Sequence, residues 1–297
     1  MTIRKTLAMA NQWLILDVPY LAHRALYSLG LLYFNTEPTA VTFGLLRDLQ
    51  YFEGVHGINK FIFCFDRGRG LREQAEPSYK QNRRDQNKKL SEEEAEIRGM
   101  LRVQINRLRF QYLPQLGYRN ILSEPGYEAD DLIASVVGTV KKLGDSTVII
   151  AADKDLYQLL SGDQIRMWDP RKKTFYTERS LAKEFYGLSP NQWPFVKAMA
   201  GCSGDGVEGI QGVGEMTAAK FLRGLLKEGT KVHQRILDSE EIWQRNLPLV
   251  KLPYLGTPTY TLQEDEVTPL KWKSLAEQLG MKSLLNEATP SFRPISS

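Results

Sequence analysis

Three apolar runs in this chain each end on a single aspartate. Trp13-Leu-Ile-Leu-Asp17, Lys60-Phe-Ile-Phe-Cys-Phe-Asp66 and Ser146-Thr-Val-Ile-Ile-Ala-Ala-Asp153 read as short strands with little polar alternation. A strand that lacks alternation is buried on both faces, which is the pattern of a parallel sheet covered by helices. Between the runs, the patterning predicts helices over 18–30, 39–53, 130–143 and 155–160. Leu132, Ile133, Val136, Val137 and Val140 form the apolar stripe of the third of these. Further strands are expected over 118–122 and 164–168. This alternation predicts an α/β fold with a central, mostly parallel sheet and helices on both faces. Ligands of such sheets bind beyond the carboxyl ends of the strands, where Asp17, Asp66 and Asp153 are expected to lie.

Five more acids belong with these three. Gly126-Tyr-Glu-Ala-Asp-Asp-Leu-Ile133 carries Glu128, Asp130 and Asp131. Asp155 follows Asp153 by two residues, and Asp205 sits in a Gly-rich stretch. Acids favour helix N-termini because of the helix dipole, and Asp155 could serve as a cap. Those reasons account for one or two acids, not eight. Glu128 and Asp131, three apart, share a face; Asp130 points elsewhere, towards a different ion or none. Carboxylates gathered at one sheet edge repel one another unless hard divalent cations stand among them, and oxygen-only ligands suit Mg²⁺ or Mn²⁺. Such ions cut phosphodiesters.

The bulk composition is compatible with that chemistry. With 297 residues, 42% of them hydrophobic and 25% charged, the chain can bury a substantial core. No apolar run approaches a membrane span, and no signal-peptide core is visible. Two cysteines, Cys64 and Cys202, are too few for a disulfide framework and favour an intracellular setting. Cys64 reads as a core residue. His23, His56 and His233 show no zinc spacing. Net charge is only +4, but setting the eight acids aside leaves 27 acids against 39 bases. An acidic focus in a basic remainder suits a protein that attracts phosphate.

Two segments interrupt the alternation. Residues 67–89 hold eight bases (Arg67, Arg69, Arg72, Lys80, Arg83, Arg84, Lys88, Lys89) against three acids. A solvated loop is the plain explanation; a basic gate that orders on single-stranded DNA is the functional one. Tyr79 would supply a stacking platform, and Lys80 and Arg83 phosphate contacts. Ser91-Glu-Glu-Glu94 then matches a capping box that opens a long helix towards Leu116. The second segment is Gly209-Ile-Gln-Gly212-Val-Gly214-Glu-Met-Thr217-Ala-Ala-Lys220. No strand precedes it, so it is not a dinucleotide fingerprint. Its backbone N–H groups and the helix that follows could hold a phosphate without reading bases.

On these motifs the chain resembles the bacterial and bacteriophage 5′-nucleases, or flap endonucleases, which include the 5′-nuclease domain of bacterial DNA polymerase I. The likeness runs from Asp17 to about Lys220. It rests on Gly126–Ile133, Ala152–Leu156, the Gly209–Gly214 stretch with Thr217, and Tyr79-Lys80 with Arg83. The resemblance implies a nuclease core over 1–190 with a basic helical arch at about 67–110. A helical DNA-binding region over 191–297 would carry the hairpin at 209–220, and the last ten or so residues would form a tail. It implies a first metal cluster of Asp17, Asp66, Glu128, Asp130 and Asp131, and a second of Asp153, Asp155 and Asp205. Lys80 and Arg83 would meet the scissile phosphate. Tyr79, Arg84, Gly209, Gly212, Gly214, Thr217 and Lys220 would contact DNA, with K⁺ at the hairpin. The expected protein is a monomeric, stand-alone, cytoplasmic enzyme using two or more Mg²⁺ or Mn²⁺ ions. It would act as a flap endonuclease and 5′-3′ exonuclease on DNA with a free 5′ end, a flap or a branched junction, in replication or repair.

One position departs from the family pattern. The family reads Gly-Asp-x-x-Asp before its hairpin, whereas this chain reads Gly201-Cys202-Ser203-Gly204-Asp205. The family's following Asn-x-Pro is also altered, to Gly206-Val207-Glu208. A thiol is a poor Mg²⁺ ligand, so the second cluster is expected to be weaker, or to use water or Mn²⁺. Two rivals follow. One is a junction-binding protein with weakened catalysis; the other is a metal-dependent ribonuclease on a similar sheet, against which the hairpin and the basic segment argue.

Overall fold

The computed structural model describes residues 11–285, Arg69 excepted. Its central sheet has six strands: β1 (Gln12–Asp17), β2 (Phe61–Phe65), β3 (Ile121–Ser123), β4 (Ser146–Ile150), β5 (Ile165–Asp169) and β6 (Thr174–Tyr176). Their order is β3-β2-β1-β4-β5-β6, and every pairing is parallel except β5 with β6. The order reverses direction between β1 and β4. Crevices at such a switch point are where open α/β sheets bind ligands.

Register explains the two-faced core. Leu14 pairs with Phe61 on one side and Val148 on the other, while Ile15 pairs with Ile62 and Ile149. Alternate residues point to opposite faces, so these rows feed separate clusters. Leu14, Leu16, Phe61, Phe63 and Ile150 pack with α1 (Val18–Leu29) and α2 (Ala40–His56). Ile15, Ile62, Cys64 and Ile149 pack on the other face. Both rows are apolar because both faces are covered.

The basic segment is helical. It contains α3 (Leu71–Ala75) and α4 (Gln81–Asn87), then α5 (Glu92–Arg107), which opens on the expected capping box of Ser91 and Glu94. The long helix continues through a π-helical turn, Leu108–Tyr112, to Leu113–Leu116. Beyond it, α6 (Ala129–Leu143) covers the Ile15 face. Later come α7 (Trp193–Ala200), α8 (Glu215–Leu222) and α9 (Pro269–Gln278). The third strand lies at Ile121–Ser123, a little after the expected 118–122, and residues Lys154–Leu159 form a 3-10 turn.

The apolar core is continuous across residue 190. Trp193, Val196, Met199, Ile210 and Ala218 share one cluster with Ile15 and Ile149. In α9, Trp272 and Leu275 return to the opposite cluster beside Leu113 and Tyr118. The expected tail lies outside the described residues. Among the described residues no helix is long and apolar enough to cross a membrane.

Candidate active site

Three adjacent strands deliver the first acids. Asp17 closes β1, and its Oδ1 accepts the Tyr20 N–H at 3.1 Å, capping α1. Asp66 follows β2 and accepts the Ala129 N–H at 2.7 Å, at the start of α6. Asp153 follows β4 and accepts the Asp155 N–H at 2.8 Å. All three line one cavity of about 370 Å³, together with Glu128, Asp130, Asp155, Asp205, Lys80 and Arg83. Seven carboxylates and three cations, Arg72 being the third, therefore line the same space at the sheet's carboxyl edge.

The electrostatics of that space favour added positive charge. Burial, with the Asp66 and Asp153 carboxylates adding to it, pushes Asp17 up to about 7. Burial and the neighbouring Asp153, Asp17 and Glu128 push Asp130 well above the ordinary carboxylate range. Burial and then Asp153 raise Asp155 to about 6, with Lys197 working the other way. A carboxyl raised by burial and like charge regains its ordinary acidity when a cation arrives. The protein's own cations answer only part of the need. Lys80 Nζ donates to Glu128 Oε1 at 2.5 Å, Arg83 Nη2 stands 2.7 Å from Asp205 Oδ1, and Lys197 Nζ stands 3.0 Å from Asp155 Oδ1. Burial would lower Lys80, but Glu128 and Asp205 outweigh it and hold the ammonium charged. The Asp155 Oδ1 and Asp205 Oδ1 atoms are buried in ion pairs without a hydrogen bond of good geometry.

Residues 12–186 match the family described as the 5'-3' exonuclease, N-terminal resolvase-like domain. The chain belongs to this family. A 5'-3' exonuclease of Aquifex aeolicus (strain VF5) is 34% identical over 191 residues, covering 59% of this chain and 64% of the relative. The thermostable DNA polymerase I of Thermus aquaticus is 33% identical over 211 residues, 70% of this chain but 23% of the polymerase. The chain thus spans about a quarter of the polymerases it matches. A solved structure of the bacteriophage T5 flap endonuclease, in a pseudo-enzyme-product complex with DNA and metal ions, superposes with a TM-score of 0.68 at 22% identity. That match covers 92% of this chain and 97% of the phage protein. The likeness is one of fold.

Within this 5'-3' exonuclease framework, the structure separates neighbours that the sequence groups together. Asp131 does not face the cavity. It is 0% exposed and accepts Arg72 Nη1 at 2.6 Å and Nη2 at 2.8 Å, and also the Tyr254 N–H at 2.8 Å. Asp130, which the spacing turns away from Asp131 and the resemblance places in the first metal cluster, lines the cavity. The helix start decides this: the Glu128 N–H donates to Asp131 Oδ2 in a reciprocal capping box, which turns Asp131 inward. Tyr79 is not an exposed stacking platform. It is 3% exposed, and its hydroxyl donates to Glu128 Oε2 at 3.1 Å. Arg84 is occupied by the Tyr79 and Pro77 carbonyls and by Glu73 at 2.9 Å, so its guanidinium is tied to its own segment rather than offered to DNA.

Two positioning residues escape the sequence reading. In the sequence Arg72 is only one base in a run, yet it also donates to the Leu249 carbonyl and lies 4.7 Å over the Tyr254 ring. Lys197 carried a usable signal: a single ammonium within the otherwise apolar Trp193-Pro-Phe-Val-Lys-Ala-Met-Ala200 requires a buried anion. In the Gly-rich stretch, Gly214 precedes α8, Thr217 N–H donates to its carbonyl at 3.0 Å, and Lys220 lies 5.1 Å over the Tyr186 ring. Gly212 is left-handed, with φ +76. Gly209 is required for packing, since a Cβ there would stand 2.3 Å from the Ala200 carbonyl.

Proposed function

We propose that this chain is a divalent-metal-dependent nuclease that hydrolyses DNA phosphodiesters at free 5′ ends, flaps and branched junctions. The observation that carries this is the single cavity at the switch point, where seven carboxylates face Lys80 and Arg83. Family membership and the DNA and metal ions in the phage relative's complex support it. The residues suit Mg²⁺ or Mn²⁺. They are oxygen donors, Asp17, Asp130 and Asp155 among them raised by burial and then by neighbouring carboxylates, and two buried carboxylate oxygens lack a well-formed hydrogen bond.

Asp17, Asp66, Glu128 and Asp130 would hold the first ion, and Asp153, Asp155 and Asp205 the second. Asp131 is excluded because Arg72 holds it. Bound divalent ions supply a water of lowered pKa and stabilise the leaving oxygen. Lys80 and Arg83, now paired with Glu128 and Asp205, would turn to the scissile phosphate and neutralise its developing charge. Helices α3–α5 would form the arch over the free 5′ strand. The amides at Gly212 and Gly214, with Lys220, would hold the duplex by its backbone.

Cleavage of a labelled 5′-flap DNA tests this. The unmodified chain should cut near the flap base with Mg²⁺ or Mn²⁺ and stop with chelator. Asp153→Ala and Glu128→Ala should bind the flap and leave it intact; cutting retained in either variant overturns the assignment. Cys202 favours one second reading, a junction binder with weakened turnover. Binding without cutting in the unmodified chain, with cutting gained by Cys202→Asp, is the outcome that would select it.

A further inference from the structure

We propose that Cys202 is itself a ligand of the second metal position, and that this position is built for a thiophilic divalent ion such as Zn²⁺. The inference rests on the nuclease reading for the purpose of the site. Its coordination chemistry stands on the geometry alone.

One ligand atom each from Asp155, Cys202 and Asp205 lies within 4.8 Å of the other two. The Cys202 Sγ is 3.6 Å from Asp205 Oδ2. Around a tetrahedral zinc, with Zn–S about 2.3 Å and Zn–O about 2.0–2.2 Å, a sulfur and an oxygen ligand stand about 3.6 Å apart. That edge of the polyhedron is already at its bonded length. While the thiol keeps its proton the contact is a weak S–H···O hydrogen bond. Coordination releases that proton and leaves sulfur and oxygen where they stand.

The third donor points to a cation independently. Asp155 is 9% exposed, and its Oδ1 lacks an aligned hydrogen bond. The charge nearest that oxygen is the Lys197 ammonium at 3.0 Å. Lys197 also reaches Glu215 Oε1 at 3.4 Å, so it keeps an anionic partner when an ion takes Asp155. The hairpin fixes the rest. Cys202 pairs with Val207 across a two-residue ladder, and the 3-10 turn Ser203–Asp205 between them returns Asp205 to the sulfur.

A soft thiolate disfavours Mg²⁺ and favours zinc, whereas the Asp17, Asp66, Glu128 and Asp130 side offers oxygen alone. The two positions would therefore discriminate between metals: Mg²⁺ or Mn²⁺ in the oxygen position, Zn²⁺ in the mixed one.

The test is a Co²⁺ titration of the metal-free full-length protein, with cobalt as the spectroscopic stand-in for zinc. A thiolate on cobalt gives a near-ultraviolet charge-transfer band. The band should saturate at one cobalt per chain and vanish when Zn²⁺ is added. It should be missing from Cys202→Ser and Cys202→Asp and present in Cys64→Ala, with circular dichroism confirming that each variant is folded. Loss of an outer-shell partner already costs about 10–100-fold in metal affinity, so Zn²⁺ affinity in Cys202→Ser should fall at least about tenfold. Cobalt that fails to bind, cobalt that binds without the band, or a band that survives Cys202→Ser would overturn the proposal. Flap cleavage is measured in parallel. Cutting without the band removes the thiolate ligand and leaves the nuclease; the band without cutting, in every metal, does the reverse.

Discussion

The two halves of the donor cluster are held by different means. Asp17, Asp66, Glu128 and Asp130 stand at the ends of β1 and β2 and at the start of α6, so sheet topology sets their positions. Asp155 and Asp205 stand on two separate 3-10 turns, and Cys202 on a two-residue ladder. That second half is fixed by backbone in close contact. Gly201 has φ +78, and a Cβ on it would stand 2.4 Å from the Gly209 nitrogen. In the first half the acids are the consequence of where strands end. In the second, close backbone contact sets the position and the side chain alone sets the donor, here a cysteine 3.6 Å from Asp205. Geometry and donor chemistry are separable here in a way they are not at a strand end.

The largest effect should come from the sheet half. Asp130→Asn keeps the shape and removes one charge, so flap cleavage should fall by on the order of 10²–10³-fold. The same change relieves repulsion among unpaired acids, so the metal-free protein should melt higher than the unmodified chain. A variant that cuts normally, or that melts lower, would contradict the placing of Asp130 in the cavity. Its neighbour should behave oppositely. Arg72→Met leaves Asp131 buried without its guanidinium, and truncating one side of a buried pair costs about 3–5 kcal/mol. Denaturant unfolding reads that directly. A loss near zero would mean that the Arg72–Asp131 pair does not tie α3 and α6 to the backbone at Leu249, Lys251 and Tyr254.

That contrast between Asp130 and Asp131 also marks how far the sequence could be read. The sheet was legible because β1, β2 and β4 carry unbroken apolar runs, and their terminal acids follow from topology. The edge strand β6 was not, because Thr174–Tyr176 is three residues long and lies on one margin. Which of two adjacent acids faces the cavity was also hidden. It depends on a capping box with Glu128 and on Arg72, 59 residues earlier, neither of which shows in local periodicity. Tyr79 was misread for the same reason: an aromatic beside a lysine looks like a stacking surface until the Glu128 carboxylate beneath it is known. The return of α9 to the apolar core lay beyond reach too, because it follows a long segment without regular secondary structure and with no pattern of its own.

A smaller effect would sharpen the comparison from the loop half. Gly201→Ala forces both a left-handed alanine and a backbone clash, at about 1–3 kcal/mol. If close backbone contact positions Cys202 and Asp205, this variant should weaken metal binding at the second position and leave binding at the first unchanged. Calorimetric titration with Mn²⁺ and Zn²⁺ separates the two. Equal weakening at both positions would mean that the halves are not independently held.

The smallest expected effect is on pH dependence, and its sign is fixed by the raised acids. Asp17 and Asp155 sit at about 7 and about 6 in the fold, against an ordinary value of 3.8. Folding therefore favours their protonated forms, and the stability they contribute is full below about 4 and lost as pH rises through 6 and 7. A divalent ion supplies the missing charge, so the rise in melting temperature on adding Mn²⁺ should be larger at pH 8 than at pH 5. For a chain of this size a difference of about 2–4 °C corresponds to each kcal/mol. Cys202→Asp adds a carboxylate beside Asp205, next to the seven that line the cavity. It should steepen the loss of metal-free stability above pH 4 and enlarge the rise with Mg²⁺, which the thiol of the unmodified chain holds poorly. A Cys202→Asp variant with the same pH profile as its parent would show that position 202 lies outside the field of the other acids, and the two halves would then share neither geometry nor charge.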